Sequence, residues 1–480
     1  MTDFTMETDA DGVAVITWDV PGKSMNVMTL EAWDVLDGLI DQALADDAIK
    51  GIVITSGKDS FAGGMDLKVI AKMKEMAGDD PAKGLFDGIM NAHRIMRKIE
   101  RAGMDAKTNK GGKPIATALP GTALGIGLEI PLSTHRIFAA DNPKAKIGLP
   151  EIMVGIFPGA GGTTRLVRKM GAMAASPLLL EGKLNDPKKA KAAGVIDEVV
   201  EDPLAAAKEW VLNAKDADIL KPWDAKGYKM PGGAPYHPAG FMTFVGASAM
   251  VNGKTKGVYP AAKALLSAVY EGAMVPFDTA LKIEARWFTN VLMNPSSANM
   301  IRSLFINKEA LDKGAVRPAD VADQKVTKVG VLGAGMMGAG IALVSAQAGI
   351  EVVLLDRDQA AADKGKAYSA DYAAKGVSRK KITQDKDLIV EAVFEDPKIK
   401  AEVTKAVDAV TGDDCIFATN TSTLPISELA KASKNAEQYI GIHFFSPVEK
   451  MMLVEIIKGK ETGDRAVAKA LDFVRQIRKT

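Results

Sequence analysis

The sequence predicts an α/β protein made of two successive α/β domains with helical sequence between them. Three observations predict this architecture. In the first part of the chain, short apolar runs alternate with segments of helical periodicity, which is typical of layered strands and helices. Between residues 260 and 313 the pattern is helical only. From residue 326 a second succession of strand, turn, helix and strand begins.

The elements follow from apolar periodicity and from the placement of glycine and proline. The upstream alternation predicts strands over 12–18, 51–56, 114–119 and 136–140, and helices over 29–45, 85–101 and 162–170. A Gly/Pro-rich stretch over 222–238 predicts a loop. Helical patterns then follow over 260–271, 277–292 and 297–313.

The downstream succession contains a glycine-rich turn. An apolar strand over 329–332 leads into Gly333, Gly335 and Gly338, which form G-x-G-x-x-G, and a helix over 336–348 follows. Gly333 permits a tight turn, and Gly335 lets a pyrophosphate approach the backbone at the helix N-terminus, where Met336 and Met337 supply amides. The motif alone is weak, but its strand–turn–helix context makes it specific for a dinucleotide.

A carboxylate ends the next strand. The strand over 352–355 ends at Asp356, about 20 residues after the glycines, where an acid accepts hydrogen bonds from an adenosine ribose. This carboxylate would repel a 2′-phosphate and favours NAD over NADP, whereas the adjacent Arg357 favours the opposite. The alternatives are a glycine-rich packing helix or a membrane span over the uncharged 329–350; the glycine content and the acid argue against both.

Composition restricts the class of protein. The formal net charge of +1 gives no bulk attraction to nucleic acid or to a membrane surface. One cysteine, Cys415, excludes an internal disulfide framework and fits a reducing compartment. The N-terminus shows no secretory signal, so a cytoplasmic location is expected. No cluster with metal-ligand spacing is evident, and no metal is expected.

Three upstream segments point to a catalytic site. They read SFAGGMDL from residue 60, GTALGIGLE from residue 121, and GLPE from residue 148 followed by PGAGG. Glycine turns present free backbone amides, and two such turns could form an oxyanion hole for a thioester enolate. Glu129 and Glu151 lie in apolar surroundings, where burial makes a carboxyl a useful acid or base near neutral pH. Taken singly, a glutamate in such surroundings is more often a buried structural hydrogen-bonder.

These segments resemble, in order and spacing, the signature segments of the crotonase (enoyl-CoA hydratase/isomerase) superfamily, over roughly residues 10–200. The resemblance implies a crotonase-like ββα spiral. It also implies that Met65 and Ile126 supply the oxyanion-hole amides and that Glu129 and Glu151 are the catalytic pair. The superfamily usually has glycine where Ile126 stands, so this position requires dihedral angles that suit a β-branched residue.

Two carboxylates fit the hydration of a trans-2-enoyl thioester. Both can hold one water against C3, and one accepts its proton while the other protonates C2. We expect Glu129 to activate the water and Glu151 to protonate C2. The sequence leaves the swapped assignment open.

The downstream half carries a second set of chemical groups. A buried strand over 387–394 is expected to end at Glu395, and His443 lies in GIHFFSP with Glu455 in VE beyond it. A histidine with a carboxylate partner suits the base of an alcohol oxidation, in which hydride leaves to nicotinamide. Taken alone, a histidine between phenylalanines is usually an ordinary core residue.

The segments NTSTL, GIHFFSP and LVEII are similar to those of the 3-hydroxyacyl-CoA dehydrogenase family. The resemblance implies a Rossmann-type NAD domain with His443 as base, Glu455 as its partner and Ser422 as a substrate hydrogen-bonder. Glu395 and Lys400 match family positions near the cofactor.

Three departures from that family carry expectations of their own. Ser446 replaces a frequent asparagine, and only tuning is expected. The stretch 356–387 is about half the family's usual length, so a helix and a strand are expected to be absent. The family continues into a helical domain beyond the position of Thr480. We therefore expect that domain to be absent here and the dehydrogenase half to be impaired.

Taken together, the two resemblances are those of the family of α-subunits of bacterial fatty acid β-oxidation complexes. They imply acyl-CoA thioester substrates, a thiolase β-subunit and homo-oligomerisation. We expect a hydratase core over 1–190, a helical extension and linker over 191–320, and an NAD-binding domain over 321–480. An isomerase with a vestigial NAD domain and a non-catalytic thiolase-docking scaffold stay open as alternatives.

Overall fold

The computed structural model describes residues 2–323, 325–374, 388–412 and 414–480. It divides into two compact units, Met1–Ile306 and Asn307–Thr480, and each is described by itself.

The first unit is organised around a six-stranded sheet of order β1-β2-β3-β4-β6-β8. β1 is antiparallel to β2, and the other neighbours are parallel. A small parallel sheet joins β5 to β7. The strands are β1 (Phe4–Thr8), β2 (Val13–Trp18), β3 (Gly51–Ser56), β4 (Ile115–Leu119), β5 (Ala123–Leu124), β6 (Arg136–Ala140), β7 (Ile147–Gly148) and β8 (Glu198–Val200).

Helices cover this sheet on both faces. α8 packs on one face, and the large core lies between the other face and the remaining helices. The helices are α1 (Leu30–Ala45), α2 (Leu67–Met76), α3 (Pro81–Arg101), α4 (Ile126–Ser133), α5 (Gly162–Met170), α6 (Ala172–Leu180), α7 (Pro187–Ala192), α8 (Pro203–Asn213), α9 (Asp216–Ile219), α10 (Pro238–Thr255), α11 (Pro260–Gly272), α12 (Phe277–Met293) and α13 (Pro295–Ile301).

Local chemistry explains where these helices begin and what they bury. Thr29 caps α1 by accepting from the amide of Ala32, and the helix buries Trp33, Leu36 and Ile40 at helical spacing. α4 differs because all of its residues are buried, which places it inside the unit rather than on its surface.

The loops that follow β3 and β4 leave the sheet at the carboxyl ends of parallel strands, where sites in such sheets form. Both loops are glycine-rich, and the small β5–β7 sheet brings a third segment, after Gly148, to the same place. The sheet topology therefore assembles the three segments that the sequence singles out.

The second unit has a sheet of order β10-β9-β11-β12-β13-β14, in which only β14 is antiparallel to its neighbour among the described strands. The strands are β9 (Lys328–Leu332), β10 (Glu351–Leu355), β11 (Leu388–Glu391), β12 (Ile416–Thr419), β13 (Tyr439–Phe444) and β14 (Val454–Ile457). The helices are α14 (Lys308–Asp312), α15 (Met336–Gln347), α16 (Gln359–Ala374), α17 (Pro397–Asp408), α18 (Ile426–Leu429) and α19 (Asp464–Gln476).

The expected α/β fold class is confirmed, and two of the element predictions are wrong. The strand expected over 387–394 ends at Glu391, because its partner β9 ends at Leu332, and Phe394 is exposed rather than buried. The helix expected over 297–313 is interrupted by a π-helical turn over Arg302–Asn307. α16 occupies part of the stretch 356–387. Residues 375–387, on which the expected loss of a helix and a strand depends, lie outside the described residues.

No helix in the described ranges combines the length and the apolar character needed to cross a membrane.

Candidate active sites

The three glycine-rich segments of the first unit lie side by side. The amide of Leu124 donates to the carbonyl of Ala62 at 3.0 Å, and the amide of Gly125 donates to the carbonyl of Gly148 at 3.1 Å. A methyl group on Gly127 would lie 2.7 Å from Cβ of Ala62, so only glycine allows this close approach. The predicted convergence of the turns is present.

Two backbone amides at this junction are free. Met28 pairs with Met65 through the carbonyl of Gly64 and the amide of Asp66, so the amide of Met65 faces away from Met28. Ile126 is the first residue of α4, where helix amides have no partner within the helix. Within the described ranges, neither amide donates to a protein acceptor.

The β-branched side chain at Ile126 is compatible with this role. The unusual backbone conformation falls on the preceding residue, since Gly125 has φ +55° whereas Ile126 is helical. Ile126 therefore keeps dihedral angles that a β-branched residue can adopt, because the glycine before it takes the unusual conformation.

Glu129 projects from the first turn of α4 and is buried, with 3% of its surface exposed. Its Oε1 accepts from the amides of Ala160 at 2.9 Å and Gly162 at 2.8 Å. Burial raises the pKa of Glu129 to about 7, although both amides act in the opposite direction. Glu129 can therefore exchange a proton near neutral pH.

Glu151 lies in a short 3₁₀ turn, Pro150–Val154, after β7. Its Oε1 would be 3.0 Å from a methyl group on Gly125, so the carboxyl lies against the turn that leads into Ile126. Burial, and then the charge of Glu129, raise the pKa of Glu151 well above its usual value. Its Oε2 is buried and has no partner in the described part of the chain, which leaves an oxygen for a bound water or substrate.

Sequence reasoning missed a third buried glutamate beside this pair. Glu284 of α12 is 1% exposed and accepts from the amides of Gly161 at 2.6 Å and Thr164 at 2.7 Å. A detectable signal existed, because Glu284 interrupts the apolar stripe that Leu281 and Phe288 continue.

A pH dependence of stability follows from the Glu129 carboxyl. Its pKa in the folded protein, about 7, lies above the ordinary 4.5. As the pH rises, the unfolded chain therefore loses this proton at a lower pH than the folded chain does. Stability contributed by the protonated form is present below pH 4.5 and is lost as the pH rises through 7. The loss is on the order of a few kcal/mol. Urea unfolding at pH 5 and pH 8 should therefore show a smaller decrease for Glu129→Gln than for the unmutated chain, and equal decreases would contradict this.

The glycine turn of the second unit fits a dinucleotide pyrophosphate. Gly333 has φ +95°, and a methyl group there would lie 2.7 Å from the carbonyl oxygen of Ala392. A methyl group on Gly335 would meet nothing within 4 Å, which leaves open space over the N-terminus of α15. The amides of Met336 and Met337 at that terminus have no acceptor in the described ranges.

Asp356 lies at the carboxyl end of β10, beside this turn. Its Oδ2 accepts from the amide of Ala334 at 2.6 Å and its Oδ1 from the amide of Arg357 at 2.7 Å. The Ala334 amide, and then that of Arg357, lower the pKa of Asp356. The carboxylate is thus charged and fixed where it can accept from a ribose hydroxyl.

His443 and Glu455 face each other across the antiparallel strands β13 and β14. Nδ1 of His443 lies 2.8 Å from Oε2 of Glu455. Since a carboxylate only accepts, Nδ1 carries the proton and Nε2 is left as the basic nitrogen. The ring of Phe445 packs on the imidazole, with centroids 4.7 Å apart.

Ser422, Glu395 and Lys400 belong to one polar network. Glu395 Oε1 accepts from the amide of Ser422 at 3.0 Å, and Lys400 Nζ lies 3.2 Å from Glu395 Oε2. Lys400 is 1% exposed and also donates to both carboxylate oxygens of the buried Glu391. Its ammonium is therefore held between the carboxylates of Glu391 and Glu395.

Asn420 connects this network to the histidine strand, a contact that the sequence did not indicate. Its side-chain oxygen accepts from the backbone amide of Phe444 at 2.8 Å, and its backbone amide donates to the carbonyl of Glu391 at 2.9 Å. The loop that carries Ser422 is thereby fixed beside His443.

Comparison with known proteins supports a hydratase-type first half and a dehydrogenase-type second half. Residues 8–215 match the family model of enoyl-CoA hydratase/isomerase, and residues 328–386 and 380–480 match that of the 3-hydroxyacyl-CoA dehydrogenase NAD binding domain. The fatty acid oxidation complex subunit alpha of Shewanella halifaxensis is 34% identical over 501 residues, which cover 99% of this chain and 68% of the relative. The same subunit of Shewanella loihica matches at the same identity and the same coverage.

These matches confirm the resemblances read from the motifs, including NAD as the cofactor of the second unit. The chain belongs to the family of fatty acid oxidation complex α-subunits, and it is a bifunctional β-oxidation enzyme that joins an enoyl-CoA hydratase to an NAD-dependent 3-hydroxyacyl-CoA dehydrogenase.

Proposed function

We propose that the first unit hydrates trans-2-enoyl-CoA to (3S)-3-hydroxyacyl-CoA through Glu129 and Glu151, and that the second oxidises this product to 3-ketoacyl-CoA through His443. The observation that carries the proposal is the junction of two buried carboxyl groups with two free amides, those of Met65 and Ile126. Hydration needs both parts, since one holds the thioester oxygen and the other handles water and protons.

In hydration, the amides of Met65 and Ile126 donate to the thioester oxygen and stabilise the enolate charge that develops there. Glu129 in its ionised form accepts a proton from the water that attacks C3. Glu151 in its protonated form delivers a proton to C2. Both residues then exchange protons with solvent and return to their starting states.

The electrostatics support this division of labour. Glu129 has two amide donors, whereas Glu151 has an unpartnered oxygen and the charge of Glu129 nearby. Of two neighbouring carboxyl groups, the one with more donors ionises first. Glu129 is thus the base and Glu151 the acid in the resting state.

In oxidation, His443 Nε2 accepts the proton of the C3 hydroxyl, and Glu455 stabilises the resulting imidazolium. The turn at Gly335 and Asp356 would hold NAD, which would supply the acceptor for the hydride of C3. Ser422 donates to the substrate, and Lys400 holds Glu395 in place behind it. Gly335 leaves open space for the pyrophosphate beside Asp356, whereas Gly333 and Gly338 allow the backbone of the turn to pack closely behind it.

Replacing Asp356 with alanine is expected to weaken NAD binding and to reduce discrimination against NADP. The substitution removes both the ribose acceptor and the charge that repels a 2′-phosphate. Calorimetric titration of both dinucleotides measures the effect, with Asp358→Ala as an exposed neighbouring control. Tighter binding of NADP than of NAD to the unmutated chain would contradict the assignment.

For partners, we propose a thiolase β-subunit and self-association. The family name of the relatives refers to a complex, and 3-ketoacyl-CoA is the substrate that thiolytic cleavage consumes. We also propose functional boundaries of 1–190 for the hydratase core, 191–320 for the extension and linker, and 321–480 for the NAD-binding domain. Analytical ultracentrifugation of the chain with and without a thiolase subunit tests the association, which is refuted if the two sediment independently.

The hydratase activity is tested by adding crotonyl-CoA to the purified chain and following the enoyl-thioester absorbance. We expect the absorbance to decay at a rate proportional to the protein concentration. An unchanged absorbance would remove the hydratase role.

A further inference from the structure

The turn that holds Glu129 also holds a second carboxylate. Along the turn from Ala160 to Thr164, the amides of Ala160 and Gly162 donate to Glu129, whereas those of Gly161 and Thr164 donate to Glu284. The hydroxyl of Thr164 donates to Glu284 as well, at 2.6 Å. The amides of one turn are thus divided between two buried glutamates.

We propose that Glu284 is a positioning residue for hydration, which fixes the Gly159–Thr164 turn and through it the orientation and charge of Glu129. The inference deepens the proposed function, because it rests on Glu129 being the base of the hydratase site. Glu284 lies on α12, far along the chain from the matched residues 8–215, so neither the motifs nor the family match assign it a role.

Close packing restricts the turn in addition to these hydrogen bonds. A methyl group on Gly162 would lie 2.7 Å from Oε1 of Glu129, and one on Gly159 would overlap the ring of Phe288 on α12. Gly161, between them, has φ +98°, a conformation that side chains rarely adopt. The turn is therefore enclosed between α4 and α12, and Glu284 is the polar group that binds it from the α12 side.

The charges around Glu284 are few. From α3, Nε2 of His93 lies 3.8 Å from Oε1 of Glu284 and donates to the carbonyl of Gly159. Burial lowers the pKa of His93 to about 4, so this histidine is neutral. From α4, the facing charge is Glu129. From α5, Arg165 is paired with Glu100 of α3 at 2.9 Å. In the described ranges, no ion pair joins Glu284 to α2, α11 or α13.

Two negative carboxylates on one turn repel each other, and the repulsion acts on both. Burial, and also the charge of Glu129, raise the pKa of Glu284 to about 7. By reciprocity, an ionised Glu284 makes Glu129 hold its proton to higher pH. Removing the charge of Glu284 should let Glu129 ionise at lower pH.

The test compares three variants of the full chain in hydration of crotonyl-CoA over pH 5 to 9. For Glu284→Gln we expect kcat to fall by about 10-fold or more, since small misplacement of a catalytic group can cost up to ~10². KM should change little, and the acid limb of kcat/KM should move to lower pH. Glu284→Asp keeps the charge but shortens the reach, so kcat should fall while the acid limb stays. Thr164→Val removes one hydroxyl donor and should give the smallest fall.

Circular dichroism establishes which variants fold, and Glu284→Asp and Thr164→Val carry the test if Glu284→Gln does not. A folded Glu284→Gln with unchanged kcat and an unchanged acid limb would overturn the inference. The inference would also be overturned if the loss of kcat in every variant were proportional to the loss of folded protein and the acid limb of kcat/KM did not move. A separate result would refute the proposed function itself. If the hydratase site is wrong, Glu129→Gln retains full activity, whatever the Glu284 variants do.

Discussion

Replacing Glu129 or Glu151 with glutamine is expected to reduce hydration of crotonyl-CoA by ~10²–10⁴-fold, the usual effect of removing one general acid or base. Glutamine keeps the shape of each side chain, and at position 129 its oxygen still accepts from the amides of Ala160 and Gly162. The fold should therefore persist while proton transfer is lost. Steady-state decay of enoyl absorbance measures the effect.

The matched control is Glu7→Gln, which neutralises an exposed glutamate on the edge strand β1 of the same unit. It should retain unmutated activity. If either site variant stays within a few-fold of the unmutated rate, that glutamate has no part in the chemistry.

Replacing His443 with glutamine is expected to reduce NADH formation from 3-hydroxybutyryl-CoA by ~10²–10⁴-fold relative to the unmutated chain. Glutamine can still bond Glu455, but it has no basic nitrogen to accept the hydroxyl proton. The initial rate of NADH absorbance increase, at saturating NAD, measures the loss.

Hydration by the same variant serves as the internal control. His443 lies in the second unit and the two carboxyl groups of hydration lie in the first, so hydration should be unaffected. NADH formation at the unmutated rate would exclude His443 as the base.

The sequence predicted most clearly those features that are local in the chain. G-x-G-x-x-G predicted a turn between β9 and α15, because glycine at positive φ and a free helix N-terminus are properties of a few adjacent residues. Glu129 and Glu151 were found for a similar reason, since each lies within its own glycine-rich segment. How a β-branched residue fits at position 126 could be seen only in the structure, which places the unusual dihedral on Gly125.

Features that depend on distant partners were not predicted. Glu284 meets the turn near Glu129 from a helix more than a hundred residues away, and its role depends on α12 packing against α3 and α5. The end of β11 was misplaced because an apolar run does not show where the neighbouring strand stops. Lys400 was expected beside the cofactor, whereas its pairing with Glu391 became visible only once β11 and α17 were in place.

The central claim is that one substrate thioester lies between the two free amides and the two carboxyl groups. A crystal structure of the chain with a bound 3-hydroxyacyl-CoA tests it most directly. We expect the thioester oxygen at ~2.7–3.1 Å from the amides of Met65 and Ile126, the range for an oxyanion hole, with C2 and C3 between Glu129 and Glu151. A thioester bound elsewhere in the first unit, with both amides unengaged, would contradict it.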